Sequence, residues 1–249
     1  MRVVLWVLIV GALVTGFAVA ISRHSTNMNT SQAGATTHVV LIGASIGQSW
    51  HLSEWPARVK ASGFTAESIP AWQFDKSAVL EEVLMRPARK FHPTRTYLRS
   101  LFQAPPRKPD IVILKECSSY FPGDLPSYQR RIEEWVGQLQ AKQIKVVLAT
   151  VVPVTRSRAA QDAGKQESLL KYNEWVREYA SQHGLDVLDL EATLRSNKEG
   201  KFLREEFAAT DGSHLNSAAY AALDETLRAL LHGNSTIVTS DSTAATATR

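Results

Sequence analysis

A serine near the start of this 249-residue chain and a histidine near its end are residue types that can act together on acyl groups. Ser45 follows an apolar run, residues 39–42, and a glycine, whereas His214 closes the sequence Asp211-Gly-Ser-His. A serine hydroxyl near its free pKa is inert, and it becomes a nucleophile beside a histidine base held in one orientation. We therefore predict that Ser45 attacks an acyl carbonyl, with His214 as the base and Asp211 as the partner of its ring.

The fold must bring these two distant motifs to one place. Residues 39–42 are Val-Val-Leu-Ile, which suits a central parallel strand that is covered on both faces. In open α/β sheets, ligands bind beyond the carboxyl ends of the strands. If the loop before the last helix reaches the same edge, Nε2 of His214 should approach Oγ of Ser45 to about 2.6–3.2 Å.

Strand and helix patterns alternate along the rest of the chain. Apolar runs predict further strands over residues 64–69, 109–114, 144–152 and 185–190. Helical periodicity predicts helices over residues 54–61, 75–85, 127–143, 166–183 and 217–231, with Asp75 as an N-cap and Gly184 just after a helix. Strands separated by helices imply right-handed crossovers. We therefore predict an α/β fold, a three-layer α/β/α sandwich with a central parallel sheet of flavodoxin-like order.

Gly-x-Ser after the first strand and Asp-x-x-His before the last helix, with this order of elements between them, resemble the SGNH (GDSL-like) hydrolase family. The resemblance extends from about residue 39 to about residue 231. It implies an esterase in which Ser45 is the nucleophile, His214 the general base and Asp211 the residue that orients the imidazole. This chemistry requires no metal and no cofactor.

The resemblance also implies an oxyanion hole, and here the sequence departs from the family's pattern. The loop after the second strand reads AWQF at 71–74 without the usual glycine, and CSSY at 117–120 replaces the usual Gly-x-Asn-Asp. We expect the oxyanion to be bound by the N–H of Ser45, a backbone N–H of Ala71 or Trp72, and a hydroxyl of Ser118 or Ser119.

The two ends of the chain differ in composition from its middle. Residues 1–21 contain a long uncharged run, and at 1.5 Å per residue it would cross a hydrocarbon core of about 30 Å. We predict a signal peptide or transmembrane anchor there, and hence an exported, periplasmic or extracytoplasmic protein that contacts the membrane through this segment. Residues 22–37 are predicted to be a flexible tether, residues 38–232 the hydrolase-like domain, and residues 233–249 a disordered tail.

Charge and cysteine content narrow the possible partners. A net charge of +4 does not indicate a nucleic-acid binder. Cys117 is the single cysteine, which excludes an intrachain disulfide and a cysteine-based zinc site. Lys115 and Glu116 are interpreted as a local ion pair, with a place in the cleft as the alternative. Residues 86–108 are rich in Arg and Lys, either as a solvated surface or as a lobe that attracts anionic polysaccharide or lipid.

The predicted function is hydrolysis of an acyl or acetyl ester through an acyl-enzyme intermediate. The substrate would be an acylated small molecule, a lipid or an acetylated glycan. Two alternatives remain open. An envelope O-acyltransferase would use the same three residues to move an acyl group onto a polysaccharide, and a catalytically weak glycan-binding domain would be consistent with the altered oxyanion-hole motifs.

Overall fold

One parallel sheet organises the part of the chain that the computed structural model describes, which comprises residues 36–72, 75–88, 106–117, 125–161, 163–196 and 200–233. These residues belong to one compact unit, Ala35–Arg249. The strands are β1 (Thr37–Gly43), β2 (Phe64–Pro70), β3 (Ile111–Lys115), β4 (Lys145–Ala149) and β5 (Asp186–Leu188). Their order across the sheet is β2-β1-β3-β4-β5, so the predicted flavodoxin-like order is confirmed.

Helices follow the strands and cover both faces of this sheet. They are α1 (Ser45–Ser49), α2 (Trp55–Arg58), α3 (Lys76–Met85), α4 (Leu125–Ala141), α5 (Arg156–Ala159), α6 (Ala163–His183), α7 (Leu190–Leu194) and α8 (Ser217–Leu231). Short 3₁₀ helices lie at Leu52–Glu54 and Glu205–Phe207. The predicted three-layer α/β/α sandwich is therefore confirmed.

Strand β1 divides the core into two layers because successive side chains of a strand point to opposite faces. Val40 and Ile42 pack with side chains of α3, α4 and α6 on one face. Val39 and Leu41 pack with side chains of α7 and α8, and with Trp50 and the region of α2, on the other face. The consecutive apolar residues of β1 are explained by this burial on both sides.

The register of β1 brings the chain to the edge where a site is expected. Gly43 pairs with Pro70 of β2, and Ile42 pairs with Leu114 of β3. The loops that carry residues 44–45, 71–72 and 116–117 therefore leave the sheet at the same carboxyl edge. Ser45 therefore lies at the edge where the sequence predicts that it meets His214.

Several predicted element boundaries shift for identifiable reasons. The strand predicted over residues 185–190 ends at Leu188, because the Asp189 side chain accepts a hydrogen bond from Ala192 N–H and caps α7. Asp75 does precede α3, but its side chain makes no capping bond, and the N–H groups of Asp75 and Lys76 donate to the Trp72 carbonyl instead. Gly184 follows α6 with a φ of +63°, as predicted.

The predicted end segments fall largely outside the described residues. This holds for the signal peptide or anchor at residues 1–21, for the tether apart from its last two residues, and for the tail after residue 233. Thr37, assigned to the tether from sequence, is the first residue of β1. Among the helices of the described ranges, none combines the length and apolar character needed to cross a bilayer.

Candidate active site

Ser45 lies at the carboxyl edge of the sheet, at the start of a short helix. Strand β1 ends at Gly43, and Ser45 is the first residue of α1, with Ala44 as the N-cap. Gly47 allows α1 to pack tightly on the sheet, since a Cβ there would lie 2.5 Å from Cδ2 of Leu41. This packing fixes the position of the Ser45 hydroxyl relative to the strand.

His214 is held by a tight loop whose turns are fixed by the Asp211 carboxylate. Oδ1 of Asp211 accepts hydrogen bonds from the backbone N–H groups of Ser213, at 3.0 Å, and His214, at 2.9 Å. Gly212 has a φ of +70°, and a Cβ there would lie 2.5 Å from Oγ1 of Thr155, so a side chain would be both strained and obstructed. The Gly212 carbonyl accepts from Thr155 N–H at 2.9 Å, which ties the loop to the chain after β4.

The three predicted side chains meet. Nε2 of His214 lies 3.0 Å from Oγ of Ser45, and Nδ1 of His214 lies 2.5 Å from Oδ2 of Asp211. An ionised carboxylate only accepts hydrogen bonds, so Nδ1 carries the proton and Nε2 accepts from the Ser45 hydroxyl. Asp211 and His214 are about half exposed, which leaves the site open to a substrate.

The hydrogen bonds to Asp211 also fix its charge. The bond from the His214 ring, followed by that from the His214 backbone N–H, holds the pKa of the Asp211 carboxyl well below its usual range. The carboxylate therefore stays ionised at neutral pH. A negative charge at this position would stabilise an imidazolium if His214 took a proton.

Hydrogen bonds from Asn216 and Tyr220, at the start of α8, hold the loop of His214 and the helix of Ser45 in place. The Asn216 side chain caps α8 by accepting from Ala219 N–H at 3.1 Å, and it donates to the Glu206 carbonyl at 2.8 Å. The Tyr220 hydroxyl donates to the Ile46 carbonyl at 3.3 Å, so α8 touches α1 directly. Helical periodicity places Tyr220 on the apolar face of the last helix, but no sequence signal indicated its hydrogen bond to Ile46.

A cavity of about 400 Å³ opens beside the Ser45–His214 pair. Its lining includes the apolar side chains of Val151 and Val152 and the side chain of Cys117. Such a volume falls within the range of small-molecule sites. Within the described ranges, no group of His, Cys, Asp and Glu side chains is arranged to hold a metal ion.

One predicted oxyanion donor is wrong. The N–H of Ala71 donates to the Gly43 carbonyl at 2.8 Å, continuing the ladder between β1 and β2, so it is not available to an oxyanion. The Trp72 N–H makes no hydrogen bond among the described residues, and the Trp72 side chain is 46% exposed. The role of the Trp72 N–H as an oxyanion donor therefore stays a prediction. Ser118 and Ser119 lie outside the described residues.

The predicted ion pair between Lys115 and Glu116 is also wrong. The Glu116 carboxylate is buried and is bound by the Lys76 ammonium and the Tyr128 hydroxyl. Lys115 instead lines the cavity, where its Nζ donates to the Glu116 carbonyl at 2.8 Å. Burial lowers the pKa of Lys115 to about 8. The alternative interpretation, in which Lys115 faces the cleft, agrees with the structure.

Replacing Asp211 with asparagine should lower kcat for ester hydrolysis by roughly 10²–10³-fold. The amide can still accept from the loop N–H groups, but it does not stabilise an imidazolium and can hold the ring in the wrong tautomer. We expect less than the ~10⁴-fold loss typical of a buried triad carboxylate, because Asp211 is half exposed. Steady-state kinetics with an aryl acetate measure the change, and Glu205→Gln removes an exposed carboxylate as the control. Activity of Asp211→Asn within threefold of the control would refute the role of Asp211.

Comparisons with known proteins identify a family and a fold. A family model described as GDSL-like lipase/acylhydrolase matches residues 41–222. A GDSL-like lipase from Bacteroides thetaiotaomicron superposes with a TM-score of 0.58 at 14% identity, over 80% of this chain and 89% of that chain. The lipase/acylhydrolase from Enterococcus faecalis gives a TM-score of 0.54 at 16% identity, over 80% and 96% of the two chains.

An acetyl xylan esterase has the same fold, with a TM-score of 0.54 at 18% identity, over 77% of this chain and 98% of that chain. No curated protein matches this chain in sequence. At these identities the structural neighbours establish the fold. The family rests on the sequence match, which extends from β1 into α8 and so contains both Ser45 and His214.

Proposed function

The chain belongs to the GDSL-like lipase/acylhydrolase family, and on that premise we propose that it is an esterase with Ser45 as its nucleophile. The observation that carries this proposal is the 3.0 Å contact between Oγ of Ser45 and Nε2 of His214. That distance lies within the range required for proton transfer between a nucleophile and its base. Without this contact, His214 could not take the proton of the Ser45 hydroxyl.

Hydrolysis would proceed in two halves. Oγ of Ser45 attacks the ester carbonyl carbon while its proton moves to Nε2 of His214, which gives a tetrahedral oxyanion. The imidazolium then protonates the leaving alcohol as the C–O bond breaks, leaving an acyl-serine. In the second half, His214 takes a proton from water, hydroxide adds to the acyl carbon, and the acid leaves as Ser45 recovers its proton. Asp211 stabilises the imidazolium in both halves.

The oxyanion needs donors that are fixed before the reaction begins. The N–H of Ser45 is in the first turn of α1, where it has no acceptor within the helix. We propose the Trp72 N–H and a hydroxyl of Ser118 or Ser119 as further donors, because these residues come soon after β2 and β3 in the sequence and both strands end at this edge of the sheet. The absence of a glycine in the first of these loops does not matter for donation, since every residue except proline has a backbone N–H.

We propose that the ester substrate carries a short acyl group, with acetyl as the leading candidate. One protein with this fold is an acetyl xylan esterase, and the cavity beside Ser45 is of small-molecule size. We also propose export from the cytoplasm, supported by the uncharged run within residues 1–21. Export would bring the enzyme to envelope or extracellular glycans.

Aryl esters of increasing acyl length test the proposed reaction. The full chain should hydrolyse the acetate, and kcat/KM should fall as the acyl group lengthens beyond what the cavity accepts. Adding an excess of a sugar should not divert the acetyl group from water, as it would in an O-acyltransferase. If the protein binds acetylated glycans but leaves aryl acetates intact from pH 6 to 9, the esterase proposal fails and the glycan-binding alternative replaces it.

A further inference from the structure

Cationic side chains line the cavity beside the Ser45–His214 pair. Among the described residues that line it, the charged side chains are Lys115, Arg158 and Lys165, and none is a carboxylate. Lys115 is fully buried, yet a pKa of about 8 leaves it largely protonated at neutral pH. A concave site lined by one sign of charge concentrates ligands of the opposite sign. The charge of the cavity therefore favours an anionic substrate.

Arg158 is attached to the loop that carries His214. Its backbone N–H donates to Oγ1 of Thr155 at 3.3 Å, and the Thr155 N–H donates to the Gly212 carbonyl. A Cβ at Gly212 would lie 3.2 Å from Cβ of Arg158, so the Arg158 side chain starts directly against the loop between Asp211 and His214. Arg158 also lines the same cavity as Ser45 and His214, so a group bound by its guanidinium would lie in the space that a substrate of Ser45 enters.

The Arg158 guanidinium retains binding capacity. Its Nη1 donates to Oε1 of Gln161 at 2.5 Å, and no ion pair to a carboxylate is formed within the described ranges. A guanidinium has five N–H donors in a planar fork that matches a carboxylate or phosphate with two parallel hydrogen bonds. A single hydrogen bond to the uncharged Gln161 side chain leaves most of the guanidinium N–H donors available to a ligand.

Gln166 provides a second, independent indication of a polar ligand. It lines the same cavity, is 7% exposed, and uses its Nε2 to donate to the Lys201 carbonyl at 2.6 Å. Its Oε1 is buried and has no hydrogen-bond donor in the described structure. An unmet buried acceptor costs about 1–3 kcal/mol, so a rotation of this side chain that let Oε1 accept from a ligand hydroxyl in the cavity would be favourable. An acidic sugar carries both an anionic group and free hydroxyls, so it has the two kinds of group that Arg158 and Gln166 can bind.

We infer that the substrate is an O-acylated acidic sugar, in which an anionic group binds Arg158 and a free hydroxyl donates to Gln166. This inference rests on the proposed esterase function, because the short acyl group occupies the position at Ser45 and the anion must then belong to the alcohol part. Carboxylate and phosphate share the recognising chemistry. Arg158 and Gln166 are specificity residues under this inference, and the reaction itself remains with Ser45 and His214.

Three sugar esters that differ in one group test the inference: O-acetyl glucuronic acid, O-acetyl glucose 6-phosphate and neutral O-acetyl glucose. The full chain should hydrolyse at least one of the anionic esters with a kcat/KM about tenfold or more above that of the neutral ester. In Arg158→Gln this ratio should fall toward one, and Arg158→Lys should recover part of it, because an ammonium keeps the charge without the fork. Arg156→Gln, a charge change on the same short helix outside this cavity, is the matched control and should keep the wild-type ratio.

Binding to Ser45→Ala separates the two proposals, since it does not depend on the reaction. Calorimetry with the same three esters should show tighter binding of an anionic ester than of the neutral one, and loss of that difference in Ser45→Ala/Arg158→Gln. If no ester is hydrolysed but this preference is present, the esterase proposal fails and the anion site stands. If neutral and anionic esters are hydrolysed and bound equally, or if Arg158→Gln leaves the ratio unchanged, the inference is overturned while the esterase proposal stands.

Discussion

Replacing Ser45 with alanine should lower kcat/KM for an aryl acetate by about 10⁴-fold or more. The hydroxyl that contacts Nε2 of His214 is lost, and no other group among the described residues occupies its place beside the imidazole. The remaining site would bind the ester but form no acyl-enzyme. Ser53→Ala, which changes an exposed serine in the Leu52–Glu54 turn, is the matched control and should retain wild-type activity.

A variant of His214 tests the same pair of residues. His214→Ala should lose activity to a similar extent, and the double variant should be little worse than either single variant, because the two residues act as one unit. Losses that multiply in the double variant would mean that Ser45 and His214 act separately. A Ser45→Ala protein with more than a few per cent of wild-type activity would remove Ser45 from the mechanism.

Replacing Lys76 with methionine should destabilise the protein by about 3–5 kcal/mol, which lowers Tm by roughly 6–20 °C in a domain of this size. Lys76 and Glu116 are both fully buried, and they form an ion pair to which Tyr128 adds a hydrogen bond. Removing the ammonium leaves a buried carboxylate with an uncompensated charge. Urea and thermal denaturation, followed by tryptophan fluorescence, measure the loss.

A double variant distinguishes loss of pairing from loss of packing. Lys76→Met/Glu116→Leu removes both charges, and apolar side chains of similar size often restore the stability that a broken buried pair loses. We expect the double variant to be more stable than Lys76→Met alone. Equal stability of Lys76→Met and wild type would show that the pair contributes nothing, and a double variant less stable than the single variant would point to packing as the cause.

The sheet could be predicted from the sequence because its strands are short, apolar and regularly separated by amphipathic helices. The run at residues 39–42 was recognisable as a strand buried on both faces, and both of its faces are indeed covered. Ser45 and His214 could be paired because a strand-to-helix turn and a loop before the last helix reach the same edge in such folds. Their partnership depends on topology, which the alternation of elements determines.

Contacts between side chains far apart in sequence could not be predicted in the same way. Lys115 and Glu116 are adjacent, and their opposite charges suggested an ion pair, but consecutive residues at the end of a strand point in different directions. Glu116 is bound instead by Lys76, 40 residues away. No periodicity or motif marks that lysine, because it reads as an ordinary first residue of a helix.

The oxyanion hole and the anion site show the same limit. The sequence shows that Ala71 has an N–H, but not that the Gly43 carbonyl accepts it. Arg158 belongs to a four-residue helix that is too short to give a periodic signal. Its place beside Gly212 follows from the contact between Thr155 and the loop between Asp211 and His214. Such details depend on packing of irregular segments, for which composition and spacing give no rule.

The most direct test of Ser45 as the nucleophile is covalent labelling of the full chain with a fluorophosphonate, followed by mass spectrometry of the intact protein and of its peptides. The reagent phosphonylates a serine only when a neighbouring base activates it. We predict one adduct per chain on Ser45, no adduct in Ser45→Ala and much slower labelling in His214→Ala. An adduct on another residue, or labelling that persists unchanged in Ser45→Ala, would contradict the assignment of Ser45 as the nucleophile.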